Sequence, residues 1–323
     1  MCKTRDIIQT HISVSDAPQH LPQPAPTLAL IGGDARQRFL ADYFIKAEYR
    51  VKAMGLGDAL PQSIRVCHDI ARVLEDSELV ILPLPCTRDG IHIFTPLDSQ
   101  VAIPFASLAE QLAHHPSAHV FGGRIPEAWR HQLDAMGCTV TDYYNREDVQ
   151  IKNARITAEG ALMTAMELTD TGILGTPTAV IGYGRIGQYL SRILISLGSS
   201  VTVYARRSAS LAQAASDGCA TRHISELSSL TAGFGVIFNT VPVRLIGKDI
   251  LSVMPCHTLL VDLASPPFGI DPDAAGEATS RCGLGVIFAP SLPGRYAPKS
   301  AGEVIAQGIL SALAEQAEGG GVR

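Results

Sequence analysis

Between Thr178 and Ser208 the chain reads TAVIGYGRIGQYLSRILISLGSSVTVYARRS, and no other stretch limits the fold so tightly. A short apolar run, suited to a central parallel strand, opens straight into Gly182, Gly184 and Gly187 at G-x-G-x-x-G spacing. In such a turn the first glycine permits the bend and the second lets backbone approach a pyrophosphate. The third lets the following helix lie close on the strand. The helix expected from Arg185 to Leu197 aims its unpaired N–H groups at the phosphates. A second strand then ends in Tyr204, Ala205, Arg206, Arg207 and Ser208, where an NAD-binding chain usually carries Asp or Glu for the ribose 2′-hydroxyl. Two guanidinium groups and a hydroxyl suit a 2′-phosphate instead, because planar forked donors match phosphate oxygens. A solvated strand end is the bland alternative for the two arginines. The cofactor expected is NADP(H), held by Gly182, Gly184, Arg185, Ile186, Gly187, Ala205, Arg206, Arg207 and Ser208, with Thr240, Val241 and Pro242 closing a later strand beside them.

Around this unit the 323 residues alternate strand and helix twice over. The first series starts with TLALIGGDARQ at Thr27 and a helix from Ala35 to Lys46, then strands in YRVKAM, ELVILPLP, AHVFGG and CTVTDY. From Asn145 to Asp170 the pattern is helical, and Leu162, Met166 and Thr169 with Ala161 and Ala165 share a face expected to be buried. The second series adds strands in GVIFNTVP, TLLVDLAS and GVIFAP, a proline- and glycine-containing loop, and a helix over about Ser300 to Glu315 that ends before a run of glycines. The fold class expected is α/β, two doubly wound Rossmann-like domains with parallel sheets joined by long linker helices. The boundaries expected are a flexible tail to residue 26, a substrate domain over 27–150, a linker helix over 151–175, the NADP domain over 176–298 and a helix over 299–323 returning to the first domain. Ligands of such two-domain chains usually bind between the halves.

A hydrophobic content of 46% with 18% charged residues fits a soluble globular enzyme, and a formal net charge of -5 argues against a nucleic-acid binder. No apolar stretch approaches membrane-spanning length. The first 26 residues lack a basic start followed by an apolar core, so they do not read as a secretory signal; Pro18, Pro22, Pro24 and Pro26 suggest an extended tail. Seven cysteines without a C-x-x-C pair favour reduced thiols in a cytoplasm over disulfides or a metal site, with Cys86 noted because it follows an apolar strand.

Two segments are candidates for holding substrate. IGGDAR puts Asp34 and Arg36 at a helix start, either as an N-cap and a surface charge or as a carboxylate pocket. APSLPGRYAPKSAGE, from Ala289 to Glu303, brings Lys299 and Ser300 to a helix start, where Lys299 either binds a carboxylate or stays solvated and Ser300 caps the helix or bonds the same ligand. His257 is the last of the ten histidines, so the general acid/base that a hydroxyacid dehydrogenase commonly takes from a late loop is absent. The chemistry should therefore ask little proton work of the chain, and its catalytic residues stay unassigned.

IGGDARQ, NREDVQIKNARI with TAEGALMTAMELTD, VIGYGRIG, VDLAS and LPGRYAPKSAGE, in that order over Leu28 to Glu315, resemble the A subunits of dipicolinate synthase from spore-forming bacteria. The tail to Pro26 departs from that pattern, as do Arg295 and Tyr296 in the late loop. The resemblance implies NADP-dependent oxidation of dihydrodipicolinate, or of its hydroxylated tetrahydro precursor, to pyridine-2,6-dicarboxylate during sporulation, in the mother-cell cytoplasm. It also implies that the partner is a flavoprotein-like B subunit, in a homo- or hetero-oligomer. Two other readings stay open: a 2-hydroxyacid or amino-acid dehydrogenase, and a non-catalytic nucleotide-binding subunit that organises such a partner.

Overall fold

The structure, a computed structural model, describes residues 26–57, 60–231 and 233–319. The expected tail before Pro26 and the glycines at 320 and 321 lie outside the described residues. By contacts the chain divides into two compact units, one comprising Met1–Gly33, Ala41–Thr141 and Ile309–Arg323, the other Asp34–Leu40 and Asp142–Gly308.

In chain order the first series is β1 (Thr27–Ile31), α1 (Ala35–Lys46), β2 (Arg50–Met54), β3 (Ile64–Val66), α2 (Ile70–Leu74), β4 (Ser77–Ile81), α3 (Phe105–Leu112), β5 (His119–Gly122), α4 (Glu127–Ala135) and β6 (Thr139–Asp142). Helix α5 (Glu147–Leu168) follows. The second series is β7 (Pro177–Ile181), α6 (Arg185–Ser196), β8 (Ser200–Ala205), α7 (Ser208–Ser216), β9 (Ala220–His223), β10 (Val236–Asn239), α8 (Lys248–Leu251), β11 (Leu259–Asp262), α9 (Pro272–Cys282) and β12 (Gly285–Phe288), then α10 (Leu292–Tyr296) and α11 (Pro298–Gly319).

Each series forms one six-stranded sheet, in the orders β3-β2-β1-β4-β5-β6 and β12-β11-β10-β7-β8-β9. Both are the doubly wound arrangement, whose order reverses beside the first strand of the series; ligands of such sheets bind outside the carboxyl ends of the strands at that point. Central strands are buried on both faces, so they read as largely apolar runs: TLALI in β1 and VIFN in β10 are buried throughout, with a polar residue only at one end.

Four expectations need correction. Strands β3 and β9 were not foreseen; they lie at sheet edges, with one buried residue in the first and none in the second, so neither carries an apolar pattern. The late proline and glycine segment is not a plain loop, because α10 forms within it after Ser291 turns the backbone at φ 62. Helix α11 starts at Pro298, where a fixed φ suits a first helical position, so Ser300 lies inside the first turn and does not cap it. On α5 the expected Ala161 and Ala165 are buried, in line with Ala154 and Ala158, and Leu162 is partly buried against the same core, but Met166 is 58% exposed. Small side chains let α6 and α10 approach: a Cβ on Gly160 would already lie 3.1 Å from Leu292 Cβ.

Candidate functional site

The strand-to-helix turn after β7 has the shape its glycines foretell. Gly182 adopts φ 92, and a Cβ there would strike Thr240 Oγ1 and lie 2.7 Å from Val241 Cγ2. Gly187 sits so close beneath the turn that a Cβ would run into the carbonyl oxygen of Gly182. Over Gly184, by contrast, a Cβ would meet nothing within 4 Å, and the residue is exposed. Two glycines are thus required for packing, while the middle one leaves an open approach to the N-terminus of α6. The turn is braced by Tyr183, whose hydroxyl donates to Asp217 Oδ2 at 2.5 Å. Burial, then that hydrogen bond, hold the phenol above its ordinary pKa, so it stays neutral.

A cavity of about 150 Å³ opens beside this turn, lined by Gly184, Arg185, Ile186 and Thr240 together with Tyr144, Gln150, Asn153 and Ala154 from the start of α5. Four residues expected at the cofactor therefore meet there. Tyr144, Gln150 and Asn153 were not foreseen; the only signal lay in the NREDVQIKN segment, whose polar residues read as an ordinary exposed helix start. Arg185 directs its guanidinium to Glu147 at the head of α5, with Nε donating to Oε1 at 2.9 Å, which pulls the glutamate below its ordinary pKa. Its backbone N–H remains at the helix start.

Strand β8 ends at Ala205, and Arg206, Arg207 and Ser208 follow, all exposed. Neither guanidinium has a side-chain partner among the described residues, and α7 begins at Ser208, so unpaired helix N–H groups lie at the same end. Val241 and Pro242 follow β10, where Asn239 Nδ2 donates to Asp262 Oδ1 at 2.8 Å. The fully buried Asp262 also accepts from the N–H groups of Ala264, Gly269 and Ile270 at 2.8 to 3.0 Å, fixing the ends of β10 and β11 against each other.

The turn after β1 has the same register but different chemistry. Ile31 to Gln37 matches Ile181 to Gly187 position for position, and each helix starts after the fourth residue. Here the second glycine of the motif is Asp34, whose carboxylate accepts from the N–H of Arg36 at 3.1 Å, and the Gly33 N–H donates to Phe94 O at 2.7 Å. These donors are already engaged, so the turn is not a second phosphate cradle. Asp34 also takes Arg36 in a two-point pair, Nε to Oδ1 at 2.8 Å and Nη2 to Oδ2 at 2.7 Å. Arg36 is 4% exposed; burial is the largest single influence and works to lower its pKa, but the hydrogen bond to Asp34, the charge of Asp34 and those of Tyr143 and Tyr144 together outweigh it, and the charge is kept. Arg36 is therefore no surface charge, and Asp34 is both N-cap and clamp.

Gly294 of α10 packs on this pair, since a Cβ would lie 2.7 Å from Asp34 Oδ2 and 3.0 Å from Arg36 Nε. Gly302 of α11 lies against the backbone of Arg36 and Leu40. The structure thus brings Asp34 and Arg36 together with the segment that carries Lys299 and Ser300, both exposed at the start of α11. Tyr144, which lines the cavity beside the glycine turn, adds to the upward pKa shifts of both Arg36 and Arg185.

Residues 27–144 match the family described as the N-terminal domain of the dipicolinate synthase A subunit. The corresponding A subunit of Bacillus subtilis (strain 168) is 31% identical over 299 residues, which cover 91% of this chain and 98% of that protein. The chain belongs to the family of dipicolinate synthase A subunits. The crystal structure of the Bacillus subtilis A subunit superposes with a TM-score of 0.77 at 29% identity, covering 91% of this chain and 98% of that one. D-lactate dehydrogenase of Escherichia coli shares the dehydrogenase-type fold at a TM-score of 0.60, covering 90% of this chain and 97% of that one; at 15% identity the likeness extends to fold alone. Among the described residues no helix is long and apolar enough to cross a membrane, and no cluster of three or more potential metal ligands occurs.

Proposed function

We propose that this chain is the NADP-dependent oxidoreductase subunit that converts a dihydropyridine-2,6-dicarboxylate to pyridine-2,6-dicarboxylate in the mother-cell cytoplasm of a sporulating bacterium. The observation that carries this reading is the turn after β7: two glycines packed shut, one open over a helix start, and two arginines, unpartnered among the described residues, where an adenosine 2′-phosphate would lie. Gly182, Gly184 and Gly187 with the first N–H groups of α6 hold the pyrophosphate; Ala205, Arg206, Arg207 and Ser208 hold the adenosine end; Arg185, Ile186, Thr240, Val241 and Pro242 bound the nicotinamide end. When bound, the oxidised nicotinamide supplies the hydride acceptor.

Arg36 and Lys299 supply the positive charge that the two carboxylates require, with Asp34 holding Arg36 in place and Ser300 on the first turn beside Lys299. Loss of hydride and a proton makes the ring aromatic, so the reaction runs downhill and the chain's task is chiefly to orient the ring. That agrees with a cationic cluster and no late histidine. The name of the curated relative, a subunit, supports a partner, and a flavoprotein-like B subunit is the one proposed.

The test is turnover. Purified chain, alone and mixed with a B subunit, is supplied with NADP+ and a freshly generated dihydropyridine-2,6-dicarboxylate. Appearance of NADPH with the pyridine product supports the reading. Turnover of 2-hydroxy acids in its place, or no turnover in either mixture, rejects it.

A further inference from the structure

The two halves of a dinucleotide lie on opposite sides of the point where a doubly wound sheet reverses its order. In the second sheet that point falls beside β7, with β8 on one side of it and β10 on the other. Arg206 and Arg207 follow β8, so an adenosine end held there sends the nicotinamide half toward β10. On that side lies the cavity of about 150 Å³, walled by Thr240 after β10, by the first residues of α6 and by α5. A space of that volume admits one six-membered ring.

Most polar side chains of the wall are already engaged. Arg185 is turned to Glu147, Gln150 Nε2 donates to Tyr144 O at 2.8 Å, and Thr240 Oγ1 donates to Ile181 O at 2.9 Å. Asn153 differs. With Gln150 and Ala154 it stands at i, i+3 and i+4 spacing on the face of α5 that lines the cavity. Its carbonyl accepts from Thr157 Oγ1 at 2.8 Å, so its backbone is spent inside the helix and its side chain is what reaches the wall. The carboxamide is half-buried and has no partner among the described residues. Asparagine is a poor helix former, and with its amide idle it gives the fold nothing that alanine would not.

We propose that Asn153 binds the carboxamide of the nicotinamide ring: Nδ2 donates to the carboxamide oxygen, and Oδ1 accepts from the carboxamide N–H. This rests on the dinucleotide reading above and deepens it. The carboxamide is the ring's only hydrogen-bonding group, so an idle amide in the wall of a ring-sized cavity has one group on the ring to meet. Two amides pair at two points, because each carries a donor and an acceptor. Such a pair fixes rotation about the bond from ring to ribose, and with it the face that the ring turns to the substrate. Asn153 takes no part in hydride or proton transfer.

Three ligands test this: NADP+, its 3-acetylpyridine analogue, which keeps the carbonyl but lacks the N–H, and 2′-phospho-ADP-ribose, which lacks the ring. Their dissociation constants are measured calorimetrically on the full chain, for wild type and Asn153→Ala. Wild type should bind NADP+ several-fold more tightly than the analogue, the worth of one hydrogen bond. Asn153→Ala should melt at or above wild type and bind NADP+ about tenfold more weakly, with no preference over the analogue. Its affinity for 2′-phospho-ADP-ribose should stay within about twofold of wild type, whereas a merely structural role would weaken all three ligands together. A wild type without the preference, a variant that keeps it, a uniform loss, or a variant that melts below wild type overturns the role of Asn153 alone. A wild type that binds neither NADP+ nor 2′-phospho-ADP-ribose overturns the dinucleotide reading, and the role of Asn153 with it.

Discussion

Asp34→Asn asks whether the first turn is held by charge. Arg36 is 4% exposed, and its guanidinium meets the carboxylate at 2.8 and 2.7 Å. Removing one partner of a buried ion pair costs about 3–5 kcal/mol, because the other charge is left uncompensated. Asparagine keeps one acceptor, and the Asp34 side chain is itself 21% exposed, so about 2–3 kcal/mol is the fitting range. In domains of this size each kcal/mol moves the midpoint by about 2–4 °C, so thermal unfolding followed by circular dichroism should show a fall of about 4–12 °C. The loss should depend little on salt, since Arg36 is shielded from counterions. Arg36→Met should cost less, because it removes the more buried charge and leaves Asp34 on the helix start. An Asp34→Asn midpoint within 1 °C of wild type, or an Arg36→Met variant that is the less stable of the two, would refute the clamp.

Four further substitutions follow from the geometry. Gly187→Ala forces a methyl into the carbonyl of Gly182, backbone against backbone, and should lower stability by about 2–4 kcal/mol by chemical denaturation. Gly184→Ala, in open space, should leave the midpoint within about 1 °C yet weaken dinucleotide binding at least tenfold. His119, 8% exposed, is pushed down to about 4 by burial, so the folded chain holds it neutral while the unfolded chain protonates near its usual value of about 6.5. Its contribution is therefore complete above pH 6.5 and lost as the pH falls toward 4, worth about 1–3 kcal/mol. His119→Phe should flatten that part of the stability profile, and a profile unchanged from wild type would count against it. Lys299→Ala should raise the KM for the dicarboxylate several-fold with the melting temperature unaltered, and unaltered kinetics would remove Lys299 from the site.

The central strands were plain in the sequence because burial on both faces makes them largely apolar, as in TAVI of β7 and LLVD of β11, with the polar residues only at strand ends where they find hydrogen bonds. Edge strands such as β9, ATRH, are exposed at every residue and so carry no period. On α5 the expected stripe was right at Ala161, Ala165 and, in part, Leu162, but not at Met166: close helix packing there is made by small side chains, and the larger apolar residue at the C-terminal end of the helix is left exposed. The glycine turn was legible from its spacing, and two of its glycines, Gly182 and Gly187, answer steric demands while Gly184 leaves the helix start open. The clamp of Asp34 on Arg36 was only half visible, since sequence shows a capping residue and a charge but not their pairing. Asn153 was not visible, because an asparagine on a polar helix start reads as surface until the cavity it lines is known.

Calorimetric titration of NADP+ and NAD+ into wild type and an Arg206→Ala/Arg207→Ala variant addresses the cofactor assignment without relying on turnover. Each guanidinium facing a 2′-phosphate near the surface should contribute about 1–2 kcal/mol, so wild type should favour NADP+ by about a hundredfold in low salt, less in high salt. The double variant should bind the two dinucleotides alike, at the affinity wild type has for NAD+. Equal affinities in wild type, or binding of neither, would contradict the account.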